Sequence, residues 1–73
     1  MVTQIVMDHS GDTRYWFDQQ DSESLLKAEE RFRQLTALGY TAAARNASGD
    51  PIVARIFDPK AEETLFFPRL VGG

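Results

Sequence analysis

The chain contains no cysteine, which excludes disulfides, thiolate zinc sites and a thiol nucleophile of its own. Histidine occurs once, so any catalytic or metal-binding arrangement must be built almost without imidazole. Long apolar runs are missing too. The opening MVTQIVMDHS has no positive region and no apolar stretch of membrane length, so neither a secretory signal nor a transmembrane helix is expected, and cytoplasmic residence is the expectation. The eight basic residues are scattered singly in a chain of formal charge -3. Such a surface does not track phosphates, and nucleic-acid binding is not expected. Gly11 and Gly49 are single turn glycines, far from any Gly-rich phosphate loop. No internal repeat or low-complexity tract is present.

What is there suffices for one small globular domain. Seventy-three residues, 42% of them hydrophobic and eight of them aromatic, bury about 60% of their unfolded surface, and no metal or ligand is needed to fold them. Residues 2–7 (VTQIVM) alternate Thr3, Ile5 and Met7 against Val2, Gln4 and Val6 in a strand pattern. Asp8 to Asp12 are turn formers, and residues 13–18 (TRYWFD) alternate Tyr15 and Phe17 against Arg14, Trp16 and Asp18 as the second arm of a hairpin. Asp21 or Ser22 then caps a helix that runs to Leu38. Its stripe is Leu25, Ala28, Phe32 and Leu35, flanked by Leu26 and Leu38, while Glu23, Lys27, Glu30, Arg31 and Gln34 occupy the wet side. Glu23 with Lys27, and Glu29 with Arg33, stand at the supporting i,i+4 spacing.

Gly39 stands where a left-handed residue closes a helix, and Tyr40 to Arg45 (YTAAAR) leads away as a strand of small side chains. Asn46 to Pro51 is a second turn cluster. Ile52 to Phe57 (IVARIF) reads as a strong strand with Ile52, Ala54 and Ile56 on one side. Asp58 and Pro59 interrupt it, Lys60 to Glu63 is a polar link, and Thr64 to Phe67 is a last short strand that Pro68 stops. The predicted class is α+β: a single mixed sheet with one helix across it, in the order β-β-α-β-β-(β). If the last strand lies parallel beside the first, the helix is the crossover.

Few residue groups suggest chemistry. His9 with Asp8 and Asp12 has the ligand types of a metal site, but a lone histidine in a polar turn is expected to be solvated, and no metal is expected. Glu29 with Glu30, and Glu62 with Glu63, are carboxylate pairs on a solvated helix face and a solvated link, without the shared cleft that acid/base work requires. Ser10, Ser22, Ser24 and Ser48 have no base assigned by spacing. Catalysis by this chain itself is not expected. Among the large apolar groups, Trp16, Phe66 and Phe67 are shared between core and surface. Phe66 is a candidate for a docking patch together with Leu70 and Val71. Arg69 suits an acidic groove on a partner.

The stretch Phe57 to Gly73, FDPKAEETLFFPRLVGG, carries more than its parts. Arg69 to Gly73 forms a tail, read as flexible, that reaches roughly 15–18 Å at ~3.3–3.6 Å per residue if extended. It follows a single domain of residues 1–68. Glycine has no side chain to block a narrow slot, so a partner enzyme can thread such an end and work on its carboxylate. This stretch resembles the C-terminal end of the bacterial sulfur-carrier proteins of molybdopterin and thiazole synthesis: an acidic link, a short strand with adjacent aromatics, a proline and a Gly-Gly terminus in that order. Ubiquitin-like protein modifiers end in a related way, and the fold these families share is the β-grasp.

The resemblance implies that the Gly73 carboxylate is adenylated by an ATP-dependent, E1-like adenylyltransferase. Gly72 matches the penultimate glycine, and Arg69, Leu70 and Val71 form the partner-binding tail, with Leu70 and Val71 in the enzyme's channel. ATP belongs to that partner, and the chain itself holds no cofactor. The chain departs from the sulfur carriers at Glu62 and Glu63, where Gly-Asp is usual, and at Arg69, where a second proline is usual. Both fates therefore stay open: a thiocarboxylate delivered to a sulfur-acceptor enzyme, or conjugation to lysines of target proteins. The alternative is a small non-enzymatic protein-interaction module whose Gly-Gly end is incidental.

Overall fold

The computed structural model describes residues 2–46 and 49–68. Strands β1 (Val2–Asp8) and β2 (Gly11–Phe17) form an antiparallel hairpin, with pairs running from Val2 and Phe17 to Asp8 and Gly11. The turn is tighter than the turn-forming stretch predicts, and the Asp8 carboxylate ties it together: Oδ1 accepts from the Ser10 N–H at 2.8 Å and the Ser10 hydroxyl at 2.6 Å. Gly11 supplies the positive φ, +129°, that closes the loop.

The helix α1 (Ser22–Ala37) begins where the predicted cap stands. Asp21 Oδ1 accepts from the Glu23 N–H at 3.2 Å, and its Oδ2 accepts from the Ser24 hydroxyl at 3.0 Å. The predicted stripe faces the sheet, with Ala28 and Phe32 buried and Leu25 and Leu35 half-buried, whereas the flanking Leu26 and Leu38 are exposed. Of the two expected i,i+4 pairs, Glu29 with Arg33 forms, at 3.4 Å. Gly39 ends the helix at φ +102°. Strand β3 (Thr41–Arg45) follows, and its alanines let the helix approach: Ala42 is buried beneath Phe32.

The predicted strand from Ile52 to Phe57 is shortened to β4 (Ile52–Val53). Only Val53 and Ile52 pair with Ala43 and Ala44, followed by one further bond from the Ala54 N–H to the Ala42 carbonyl at 2.8 Å. Ile52 and Ile56, expected on one apolar face, are 72% and 79% exposed. The physical reason is Phe57. Its ring sits 6.0 Å from both Phe17 and Phe32, contacts that a continuing edge strand would carry it past.

Strand β5 (Glu63–Phe67) completes a five-stranded sheet in the order β2-β1-β5-β3-β4. It runs parallel to β1 and antiparallel to β3, so the sheet is mixed and its last strand is its middle one. One helix packed on this sheet is the predicted α+β arrangement, and the strand order is compatible with a β-grasp. The core lies between helix and sheet in two clusters. Val2, Phe17 and Ala28 form one, Phe32, Ala42 and Phe66 the other, and Phe57 packs against both.

One buried polar group joins the layers. Gln4 is wholly buried on β1. Its Nε2 donates to the Ala28 carbonyl at 3.0 Å, and its Oε1 accepts from Arg31 at 2.8 Å. The Arg31 guanidinium also lies 3.9 Å over the Tyr15 ring.

Candidate functional site

Alternation along each strand sorts the sheet into two faces. Val2, Gln4, Phe17, Ala42 and Phe66 meet the helix, so Ile5, Arg14, Trp16, Ala43, Leu65 and Phe67 stand on the face that the helix leaves uncovered. The pairing aligns Arg14, Ile5, Leu65, Ala43 and Val53 in one row across all five strands, and Trp16, Thr3, Glu63 and Arg45 in the row beside it. From Ile5 to Val53 the first row is apolar: Ile5 and Ala43 are buried and Leu65 between them half-buried, while Val53 at the end is 62% exposed and Arg14 at the other end is charged. The second row ends on Trp16, also 62% exposed. An ion pair interrupts it: the Arg45 Nη2 and Nε stand 3.1 and 3.3 Å from Glu63 Oε1.

The strand that leads into the C-terminal stretch therefore occupies the centre of the molecule. Glu63 belongs to β5 and pairs with Arg45, so the predicted polar link is one residue shorter and Glu63 is not a free member of a carboxylate pair. Phe66, a docking-patch candidate, is fully buried against Phe32, with ring centroids 5.7 Å apart, and is a core residue. The alternation that places Phe66 inward places Phe67 on the uncovered face, half-buried beside Thr41. Pro68 is exposed at the end of the sheet that also carries the β1–β2 turn. Arg69, Leu70, Val71, Gly72 and Gly73 lie outside the described residues, as does Ser48.

The remaining candidates are local structure. His9 is exposed in the hairpin turn, and its neighbour Asp8 holds Ser10. Hydrogen bonds from the Ser10 hydroxyl and backbone N–H stabilise the Asp8 carboxylate and hold its pKa below the ordinary 3.8. Ser24 donates its hydroxyl to the Asp21 cap, and Glu29 is engaged by Arg33. Among the described residues, no three His, Asp or Glu side chains gather as a metal would require, and no helix is long and apolar enough to cross a membrane.

Sequence reasoning missed one feature. A groove of about 450 Å³ runs beside β4, lined mainly by Ala44, Ile52, Ile56, Phe57, Pro59 and Ala61. Its wall is the irregular segment that follows β4, residues 54–59 with Ala61. Its charged lining residues, Arg55 and Asp58, do not make an acid/base pair with a nucleophile. Comparison with family models, with curated proteins and with solved structures finds no match to this chain.

Proposed function

We propose that this chain is a ubiquitin-like protein, a sulfur carrier or protein modifier, activated by adenylation of the Gly73 carboxylate. The supporting observation is the position of β5: the strand that runs into FFPRLVGG is the middle strand of the sheet, parallel to β1, with Phe66 anchored beneath the helix and Pro68 at the sheet's end. A carrier works on this plan. The body holds the approach to the terminus, and the half-buried Leu65 and Phe67 on the uncovered face give an E1-like adenylyltransferase a place on which to seat it.

The chemistry accounts for ATP. A carboxylate is a poor electrophile at neutral pH. Attack of the Gly73 carboxylate on the α-phosphorus of ATP forms the acyl-adenylate and releases pyrophosphate. Sulfide then displaces AMP to leave a thiocarboxylate, or a lysine amine displaces it to leave an amide. Since the chain lacks cysteine, any thioester on the way uses the partner's sulfur. ATP is thus the activating enzyme's substrate, and the carrier contributes only its end.

The test is the intact mass of an N-terminally tagged form purified under denaturing conditions from its native host. One oxygen replaced by sulfur, and lost when Gly73 is deleted, establishes a sulfur carrier. Heavier species joined through Gly73 to lysine amines establish a modifier. An unmodified mass under several growth conditions, or full function of the Gly73 deletion, refutes activation. A second reading, a non-enzymatic interaction module with an incidental terminus, is favoured by the exposed Ile52 and Ile56 along the groove beside β4.

A further inference from the structure

We propose that a second copy of this chain pairs antiparallel along the free edge of β2, in a register centred on Trp16. This interface is separate from the terminus and goes beyond the carrier reading.

The two edges of the sheet are treated differently by the sequence. β4 is blunted: it has two residues, with Pro51 directly before it and Pro59 shortly after. β2 has seven residues in an unbroken register with β1, and contains no proline, no lysine and no bulge. Short strands, prolines, lysines and bulges are the devices that stop an edge from recruiting another strand. Against the short, proline-flanked β4, β2 carries only the charges of Asp12 and Arg14, which leaves it the more open edge for pairing.

The charges on β2 then choose the occupant. When two copies meet about a two-fold axis normal to the sheet, residues on the same face stand opposite one another, which limits the register to centres on a residue. Centring on Arg14 sets two arginines face to face. Centring on Tyr15 sets Asp12 opposite the partner copy's Asp18. Centring on Trp16 sets Arg14 opposite Asp18 at both ends, and brings the two Trp16 side chains together on the uncovered face. Centring on Thr13 also sets opposite charges together, Asp12 with Arg14, but leaves each Trp16 facing Ser10; the Trp16 register alone joins two charge pairs to burial of the exposed tryptophan. Asp18 lies one residue past the end of β2 and is exposed; its Oδ1 accepts from the Gln20 N–H at 2.9 Å, and its Oδ2 has no partner among the described residues. Trp16, 62% exposed and the chain's sole tryptophan, is the apolar group that such pairing covers.

That tryptophan also reports the event. On raising the concentration of the full chain from micromolar to millimolar, the mass by analytical ultracentrifugation is expected to move from 8.2 kDa to twice that value, with a blue shift of Trp16 emission. Arg14→Asp alone and Asp18→Arg alone each place like charges opposite one another at two symmetric positions. Each is expected to weaken the dimer by about tenfold or more. The double exchange, Arg14→Asp with Asp18→Arg, is expected to return it to near the parent value. In the parent protein, amide exchange at residues 14–18 is expected to slow as concentration rises, a readout that needs no variant. A mass that stays at the monomer value through the millimolar range overturns the proposal. So does a dimer indifferent to both single reversals, or protection gained at Ile52 and Val53 instead of β2.

Discussion

Phe57→Ala and Ile56→Ala, at adjacent positions in an irregular segment, are expected to have very different costs. Alternation in IVARIF puts Ile56 with Ile52 and Ala54 on one apolar face, yet Ile56 is 79% exposed while Phe57 packs against both core clusters. A fully buried Phe→Ala truncation costs about 3–5 kcal/mol. Phe57 is half-buried, which scales this to about 2–3 kcal/mol, including its edge and tilted contacts with Phe32 and Phe17. Ile56→Ala removes surface that water already reaches, and its effect is expected within about 0.5 kcal/mol of zero. Urea denaturation followed by circular dichroism resolves the two. With a slope of about 1 kcal/mol/M at this size, Phe57→Ala is expected to lower the midpoint by about 2–3 M and Ile56→Ala by less than about 0.5 M. A domain of this length has only ~4–11 kcal/mol in total, so Phe57→Ala remains measurable but close to the limit. Equal midpoints, or a larger loss at Ile56, would refute the placement of Phe57 as the residue that ties the two clusters together.

The buried Gln4 gives a non-additive prediction: Arg31→Met strands its Oε1 without a donor and is expected to cost about 1–3 kcal/mol, much of which Gln4→Leu in the same chain recovers. A double-mutant cycle reads this, and simple additivity would sink it. Gly39→Ala is expected to cost about 1–2 kcal/mol through backbone conformation alone, because its φ is +102° while a Cβ there meets nothing within 4 Å. If Gly39→Ala leaves thermal unfolding unchanged, that φ is not required. For Asp8, the folded-state pKa is depressed, so its contribution to stability is present above 3.8 and is lost as pH falls through the folded value. NMR titration is expected to place the Asp8 midpoint below 3.8 and to move it upward in Ser10→Ala; no movement would mean that Ser10 is not the cause.

The hairpin, the cap and the helix stripe were legible because each is a local pattern whose period matches its environment. Ala28 and Phe32 could be placed from spacing alone, and the cap was narrowed to Asp21 or Ser22, of which Asp21 is used. IVARIF was misjudged for the opposite reason: its strand propensity is real, but the pull of Phe57 into the core overrides it after two residues. Gln4 was equally opaque, since a glutamine on a strand looks solvated until a helix carbonyl and Arg31 are brought over it. At the candidate site, adjacent Phe66 and Phe67 were visible as a pair. Which of them points inward depends on register, and that is fixed only when β5 slots between β1 and β3.

The central place of β5 also governs how the chain can be born. During synthesis the β1–β2 hairpin, α1 and the β3–β4 hairpin all emerge before residue 63, yet β1 and β3 have no contact through the sheet until β5 bridges them. Translation proceeds at ~5–20 residues per second, and throughout that interval the nascent halves wait with Phe32, Ala42 and Val6 unburied. A chain that ends before residue 63 therefore lacks the strand that joins β1 to β3, and is expected to form no continuous sheet across the two hairpins.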